Sequence, residues 1–414
     1  MAKTKKQKGK TNHALLFIFI TVLLDVLALG LIIPTLPKLI LNFMGGNSMH
    51  AAQMVGLFGT IWALMQFFAS PIIGSLSDRF GRRPVILISN FGTGIDYVIM
   101  ALAPTIGWLF GGRILSGITT SSISTAFAYI ADSTTPQKRA GGFGFIGAAF
   151  SVGFVLGPAL GGILGNIDPR LPFWVAAGLS YANFAYGYWV LPESLPKSRR
   201  VNFSWKKANP FGSLTLLKSH KDLLGLAGIY FTNMLAYVVL ASVFVLYAIY
   251  RYQWDNQSVG YCMALVGICT GIVQGGLVRP FVKRFGEPRT LLAGLFFGML
   301  AFAGFGLAPT GLLFLAAIPF LALWGFANAA AQSLMTKHVD HKEQGQLQGA
   351  NGSLRAISSL IGPSLFTMIY AFSIDPSHSW QLPGAPFFVA ALLMLLNVLL
   401  TLFVLRGERK TIQA

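Results

Sequence analysis

Asp25 and Asp96 stand deep inside long apolar runs, and with Arg113, which enters the fourth run from the opposite side, they are the residues best placed to do chemistry. A charge at mid-bilayer costs at least about 2.5 kcal/mol, so each needs a partner or a wet cavity. Burial favours the neutral acid, whereas a nearby arginine favours the carboxylate. An aspartate whose burial and arginine contact alternate between two conformations can therefore carry a proton. The competing reading is a fixed Asp–Arg pair that locks helix packing. With only thirteen acids in 414 residues the list can be exhausted, and all the others fall at helix ends or in loops. Tyr97 and two nearby glycines point to cavity lining around Asp96 rather than a buried lock. Arg355, deep in a later run, admits either reading.

The elements that must hold these groups follow from composition. Hydrophobic residues make up 54% of the chain and charged residues 11%, against about a quarter charged in soluble proteins. That predicts an all-α polytopic membrane protein. Twelve apolar segments reach spanning length, near 14–36, 53–74, 84–104, 107–131, 141–165, 172–191, 223–247, 257–278, 289–309, 311–334, 346–371 and 385–405. Asp25 and Asp96 each lie about eleven residues from one end of a span, or roughly 16 Å into the bilayer. The net charge of +18 suggests a nucleic-acid partner only until its distribution is considered. Lys and Arg concentrate in alternate loops, leaving Lys38, Arg170 and Arg251 on the other side. The positive-inside bias then places both termini in the cytoplasm, and no nucleic-acid partner is expected. The lysine-rich start with its apolar run is read as a retained first helix, since no small-residue cleavage site follows.

Residues 192–222 form a polar connection, with Trp205 and Phe211 expected on the headgroups. This predicts an N-terminal bundle over 1–191, a cytoplasmic linker over 192–222 and a C-terminal bundle over 223–414. The halves repeat. Arg79-Phe80-Gly81 returns as Arg284-Phe285-Gly286, Leu102-Ala103-Pro104-Thr105 as Leu307-Ala308-Pro309-Thr310, and Gly157-Pro158 as Gly362-Pro363. Pro172-Phe-Trp-Val-Ala-Ala also returns, as Pro386-Phe-Phe-Val-Ala-Ala. Cys262 and Cys269 sit on one helix, roughly 10 Å apart, too far for a disulfide.

Between the second and third spans runs Gly74-Ser-Leu-Ser-Asp78-Arg79-Phe-Gly81-Arg82-Arg83-Pro84. Such a charged turn must leave hydrocarbon, its glycines allow a tight reversal, and Pro84 suits a first helical turn. A purely topogenic hairpin would require the positive charges but not their spacing from Gly74 and Asp78. Gly153, Gly157, Pro158, Gly161 and Gly162 suit close helix contact, and Pro158 adds the means to bend. Polar residues inside spans (Gln66, Asn183, Asn233, Gln274, Asn328, Gln332, Asn397 and Arg355) are candidates to line a substrate cavity, with Gln66, Gln274 and Gln332 first among them. No phosphate loop, His-Glu-x-x-His or Gly-x-Ser-x-Gly motif occurs, so enzyme chemistry and ATP-driven pumping are not expected.

The Gly74-x-x-x-Asp78-Arg79-x-Gly81-Arg82-Arg83 turn resembles the signature loop of the major facilitator superfamily. Asp25-Val-Leu-Ala-Leu-Gly-Leu-Ile-Ile-Pro34, Asp96-Tyr97, Gly112-Arg113-Ile-Leu-Ser-Gly117-Ile-Thr119 and Gly157-Pro158-Ala-Leu-Gly161-Gly162 narrow the likeness. They point to the drug:proton antiporter branch and its tetracycline-resistance efflux proteins. The resemblance implies a fold of two pseudo-symmetric six-helix bundles and a substrate site near the midplane. It ties Asp25, Asp96 and Arg113 to substrate and proton coupling. It also ties Gly74, Asp78, Arg79, Gly81, Arg82 and Arg83 to a gate. Thr270 and Gly298 stand where well-studied tetracycline exporters carry a histidine and an acid, while Gln274 is retained.

The expected function is proton-coupled export of a small amphiphilic compound, tetracycline-like or broader, by alternating access across a bacterial inner membrane. A carrier for a metabolite or siderophore, not necessarily proton-coupled, is the rival. The expected partners are the small-molecule substrate, protons and the bilayer, with the protein acting as a monomer. No cofactor is expected: the proton gradient supplies the energy, and any metal arrives chelated by the substrate.

Overall fold

The computed structural model describes residues 2–120, 122–134, 139–203, 205, 209, 212–214, 216–217, 221–340 and 343–413. Helices account for all the regular structure among them. In order they are α1 (Ala2–Ile32), α2 (Leu36–Phe43), α3 (Ser48–Phe80), α4 (Arg82–Leu102), α5 (Ile106–Thr119) and α6 (Ser122–Ser133). Then come α7 (Arg139–Ile167), α8 (Leu171–Val190), α9 (Lys221–Ser242), α10 (Phe244–Tyr252) and α11 (Asn256–Ile272). The series ends with α12 (Val278–Leu307), α13 (Gly311–Ala316), α14 (Ile318–Leu323), α15 (Gly325–Lys337), α16 (Gln344–Ser373) and α17 (Ala385–Gln413).

These make the twelve passages of an all-α polytopic membrane protein. Among the described residues, ten stretches are long and apolar enough to cross, and one of them, Asn256–Leu307, holds two passages divided at Gly286. The remaining passage is α8, whose Tyr, Trp and Asn183 side chains lower its hydropathy. Large apolar side chains such as Ile88, Leu312 and Phe403 stand exposed along the helices, as a lipid-facing surface requires.

Several expected single helices are broken, each for a local reason. The first passage is interrupted after Ile32 at Pro34, where Thr35 Oγ1 donates to the Leu31 and Ile32 carbonyls. The fourth is divided after Thr119, where the Thr119 and Thr120 hydroxyls bond back to Leu115 and Ser116. The eighth carries a π-helical turn over Val273–Leu277. The tenth is broken at Ala317 and Trp324, with Pro319 opening α14.

Two compact units emerge: Met1–Leu39 with Ile61–Asn209 and Asp255–Ala264, and Ile40–Thr60 with Pro210–Trp254 and Leu265–Ala414. The first centres on Ile18, Val22, Val26, Ile86, Tyr129 and Ile146. In the second, Tyr247, Phe305, Phe314 and Phe387 interlock, and Tyr247 donates to the Phe305 carbonyl at 2.9 Å. Trp205 is exposed, whereas Phe211 lies outside the described residues.

The internal repeat reappears in the backbone. Gly81 (φ 109°, ψ 160°) and Gly286 (φ 78°, ψ 163°) make the same left-handed break ahead of the following helix. Arg79 lies over Phe80 at 5.1 Å and Arg284 over Phe285 at 5.5 Å. Ala103 (φ −50°, ψ 114°) and Ala308 (φ −58°, ψ 113°) end α4 and α12 alike. Cys262 and Cys269 are free thiols.

Candidate functional site

In the first unit, α1 carries Asp25 half-buried against α8. Asn183 Nδ2 donates to Asp25 Oδ1 at 2.8 Å and to the Thr21 carbonyl at 2.9 Å. With its amide oriented to satisfy both atoms, Asn90 of α4 donates to Asp25 at 3.3 Å and accepts from Asn183 at 3.0 Å. Asn90 and Asn183 are both buried. Helices α1, α4 and α8 thus meet at one hydrogen-bonded polar cluster inside an otherwise apolar packing.

Asp96, nearly two turns beyond Asn90 on α4, is fully buried, and neither carboxylate oxygen has a hydrogen-bond partner among the described residues. Arg113 and Ser116 of α5 are the polar groups that act on it. Close approach of α5 depends on Gly112, where a Cβ would meet Asp96 Oδ1 at 2.9 Å and Met100 Cγ at 2.8 Å. Arg113 is itself buried, with its guanidinium over the Trp62 ring at 5.8 Å. It makes no ion pair among the described residues, so Asp96 and Arg113 are neighbours rather than a closed lock. The cavity-lining expectation for Asp96 and Tyr97 is corrected: both are enclosed, Tyr97 at 1% exposure. The glycines beside them serve helix approach, since a Cβ at Gly94 would meet the Tyr181 ring at 2.8 Å.

The charged turn is a network centred on Arg82, which is buried. Its guanidinium pairs with Asp78 at 2.7 Å and Asp132 at 2.9 Å and donates to Ser77 Oγ. Its backbone N–H donates to Glu193 Oε1 at 2.9 Å. Val201 N donates to the Asp78 carbonyl at 3.1 Å, which fastens the start of the linker to the turn. Arg83 donates to the Tyr188 carbonyl, while Arg79 is exposed. Gly81 combines a left-handed φ with close approach of Glu193, whereas Gly74 has open space around it.

The glycines of α7 are a packing stripe. A Cβ at Gly153 would meet Val26 Cγ1 at 2.7 Å, and one at Gly157 would meet Gly30 Cα at 2.7 Å. Gly161 abuts the Leu31 carbonyl, and Gly162 the Asn256 carbonyl. Helix α7 continues unbroken through Pro158.

Of the remaining candidates, Gln66 belongs to the first unit and is half-buried. The others belong to the second. Gln274 is exposed in the π-helical turn, about 3.5 Å from where a Cβ at Gly325 would lie. Gln332 and Asn328 are half-buried, and Asn328 Oδ1 has no hydrogen-bond partner among the described residues. Arg355 of α16 is exposed and donates to Tyr230 Oη at 3.0 Å. Gly298 lies under Trp324, where a Cβ would meet indole Cδ1 at 2.6 Å. The Trp324 Nε1–H donates to Asn233 Oδ1 at 2.7 Å. A larger side chain at 298 is excluded by that ring.

Sequence reasoning missed Asn90 and offered Asn183 only as a cavity-lining amide. It also set Asp132 and Glu193 aside as helix-end acids. The available signal was positional: Asp132 and Glu193 end spans on the same side as Arg82. Asn90 and Asn183 are amides inside spans, where a polar side chain needs a partner.

Residues 18–363 match the family model described as Major Facilitator Superfamily, and the chain belongs to that family. It is a multi-pass membrane transporter of small molecules rather than an enzyme. It is 36% identical to the class C tetracycline resistance protein of Escherichia coli over 93% of this chain and 96% of that one. The class B tetracycline resistance protein of Escherichia coli is 33% identical over 94% and 97% respectively. Among solved structures, the nucleoside transporter NupG superposes with a TM-score of 0.76 at 13% identity, covering 95% of this chain and 99% of that chain.

Proposed function

We propose that this protein is a proton-coupled exporter of a tetracycline-like or broader amphiphilic drug, working by alternating access in a bacterial inner membrane. The observation that carries the reading is the pairing of two intramembrane aspartates with different surroundings. Asp25 is half-buried and hydrogen-bonded, whereas Asp96 is enclosed and unbonded beside Arg113. Buried ionisable groups without full pairing are costly and mark ion pathways in membrane proteins. The likeness to tetracycline resistance proteins over nearly the whole chain supplies the substrate class.

Asp25 takes the first proton on this reading, because its surroundings are the more accessible of the two. Asp96 and Arg113 separate and approach as the bundle changes state, so the proton binds in one state and leaves in the other. The turn centred on Arg82 is the gate, with Asp78, Asp132 and Glu193 holding it in one arrangement. Within the second unit, Gln274, Gln332 and Asn328 contribute polar contacts to the cargo. The chain acts as a monomer with both termini cytoplasmic and without a resident cofactor, and any metal enters chelated by the substrate.

Everted vesicles carrying the protein test this directly. Adding tetracycline to energised vesicles should release protons, and Asp25→Asn should abolish that release while the protein remains inserted. Tetracycline uptake that proceeds equally in wild type and Asp25→Asn, with no proton movement, would refute the coupling.

A further inference from the structure

Three charged residues of the first unit's turn return in the second half with every sign reversed. At the offset of the internal repeat, Asp78, Arg82 and Asp132 become Lys283, Glu287 and Lys337. The central pair forms in both units. Arg82 meets Asp132 at 2.9 Å between α4 and α6, and Glu287 Oε1 meets Lys337 Nζ at 2.6 Å between α12 and α15. Arg82 and Glu287 each follow the left-handed glycine of their turn, Gly81 or Gly286. The repeat thus keeps the place of the pair and exchanges which helix carries the cation.

A turn that served orientation alone would need positive charge and nothing else. Glu287 is the one acid between Lys283 and Arg289, so it works against that bias and calls for a role of its own. Around it the turn is held by uncharged contacts. Ser333 Oγ donates to the same Oε1 at 3.4 Å, and Thr290 Oγ1 donates to the Gly286 carbonyl at 2.6 Å. Phe281 stacks on Phe326 of α15 with centroids 4.6 Å apart. Apolar packing therefore brings α15 to the turn, and the ion pair adds a link that can be made or broken. The Lys337 side chain is 59% exposed and that of Glu287 21%. A pair this open adds little to the stability of a fold. It is enough to bias a choice between two arrangements of similar energy.

We propose that Glu287 and Lys337 are positioning residues of a second gate, their ion pair fastening the α12 turn to the end of α15 in one state and parting in the other. This second gate rests on the export reading, in which the turn around Arg82 is the first, and it brings residues of the second unit into that cycle. What the pair requires is complementarity rather than a given sign on a given helix, since the first unit builds it the other way round.

Charge reversal in the full-length protein makes the test. Glu287→Lys and Lys337→Glu each set like charges together, and the double reversal restores an attractive pair. In everted vesicles each single variant should slow tetracycline uptake by about threefold or more, and the double variant should return to within about twofold of wild type. Hydrogen exchange of the 281–289 amides, read by mass spectrometry on protein in detergent, follows the turn without any transport. It should quicken by about threefold or more in each single variant and recover in the double. Wild-type uptake in both single variants overturns the proposal. So does a double variant as slow as the singles, or exchange that is the same in all the forms. Exchange that follows the pairing, in a protein that moves no tetracycline in any form, keeps the ion pair as the fastener of the turn and refutes the export reading instead.

Discussion

Trp324 and Gly298 constrain each other as a pair. The indole occupies the volume that any side chain at 298 would need, and its N–H is committed to Asn233. Gly298→Asp should therefore lose stability by both overpacking, about 1–3 kcal/mol, and burial of an unpaired carboxylate. Thermal unfolding in detergent should show the loss, and adding Trp324→Ala should recover part of it. Full stability of Gly298→Asp alone would mean that the indole moves aside freely. The absence of an acid at 298 is thus linked to what Trp324 fills, and an aligned sequence alone could not reveal that link. Asp25 and Asp96 were legible in sequence as intramembrane acids. Their unequal settings were not, because Asn90 and Asn183 come from other helices.

At the scale of the helix, the contacts of α7 and the start of α11 carry the argument. Gly157 and Gly161 bring α7 against the backbone of α1, so Gly157→Leu should separate the two helices by more than a side chain can absorb. The expected result is loss of monodisperse protein in detergent, with a cost of about 3 kcal/mol or more. Wild-type behaviour of Gly157→Leu would return α7 to a role as a bending element.

Asp255 caps the start of α11, accepting from Ser258 N at 2.8 Å and from Asn166 Nδ2 at 2.8 Å. Those hydrogen bonds, first to Ser258 and then to Asn166, hold its carboxyl below the usual range. Because the folded value is depressed, its stabilisation is complete above the unfolded value of about 3.9. It is lost as pH falls through the lowered folded value. Asp255→Ala should cost about 1 kcal/mol near neutral pH. The difference from wild type should shrink in acid, as melting curves across pH 2–7 (approximate limits set by the carboxylate range) would report.

For the whole molecule, the repeat and the charge bias make separate claims. Two turns 205 residues apart adopt the same left-handed glycine break and the same Arg-over-Phe contact, so the repeat is structural as well as textual. The charge bias predicts an orientation, which cysteine labelling checks. With Cys262 and Cys269 replaced by serine, Asn47→Cys should react with an impermeant maleimide in intact cells. Trp205→Cys should react only after permeabilisation. The reverse pattern would invert the topology.

Hydropathy, turn residues and basic loops are local properties, and the sequence alone was enough for the membrane class, the twelve passages, the repeat and the likeness to a transporter family. Helix rotation and pairing are not local, because in lipid any apolar face can serve as an outer face until packing selects one. The tertiary structure therefore decided that Arg82 gathers Asp78, Asp132 and Glu193, and that Asp96 is enclosed while Asp25 is bonded to Asn183. It also decided that Trp324 covers Gly298 beside Tyr237, and that Arg355 reaches Tyr230. Each of these joins residues on different helices, and the distances between them are set only when apolar surfaces and glycine stripes bring the backbones together.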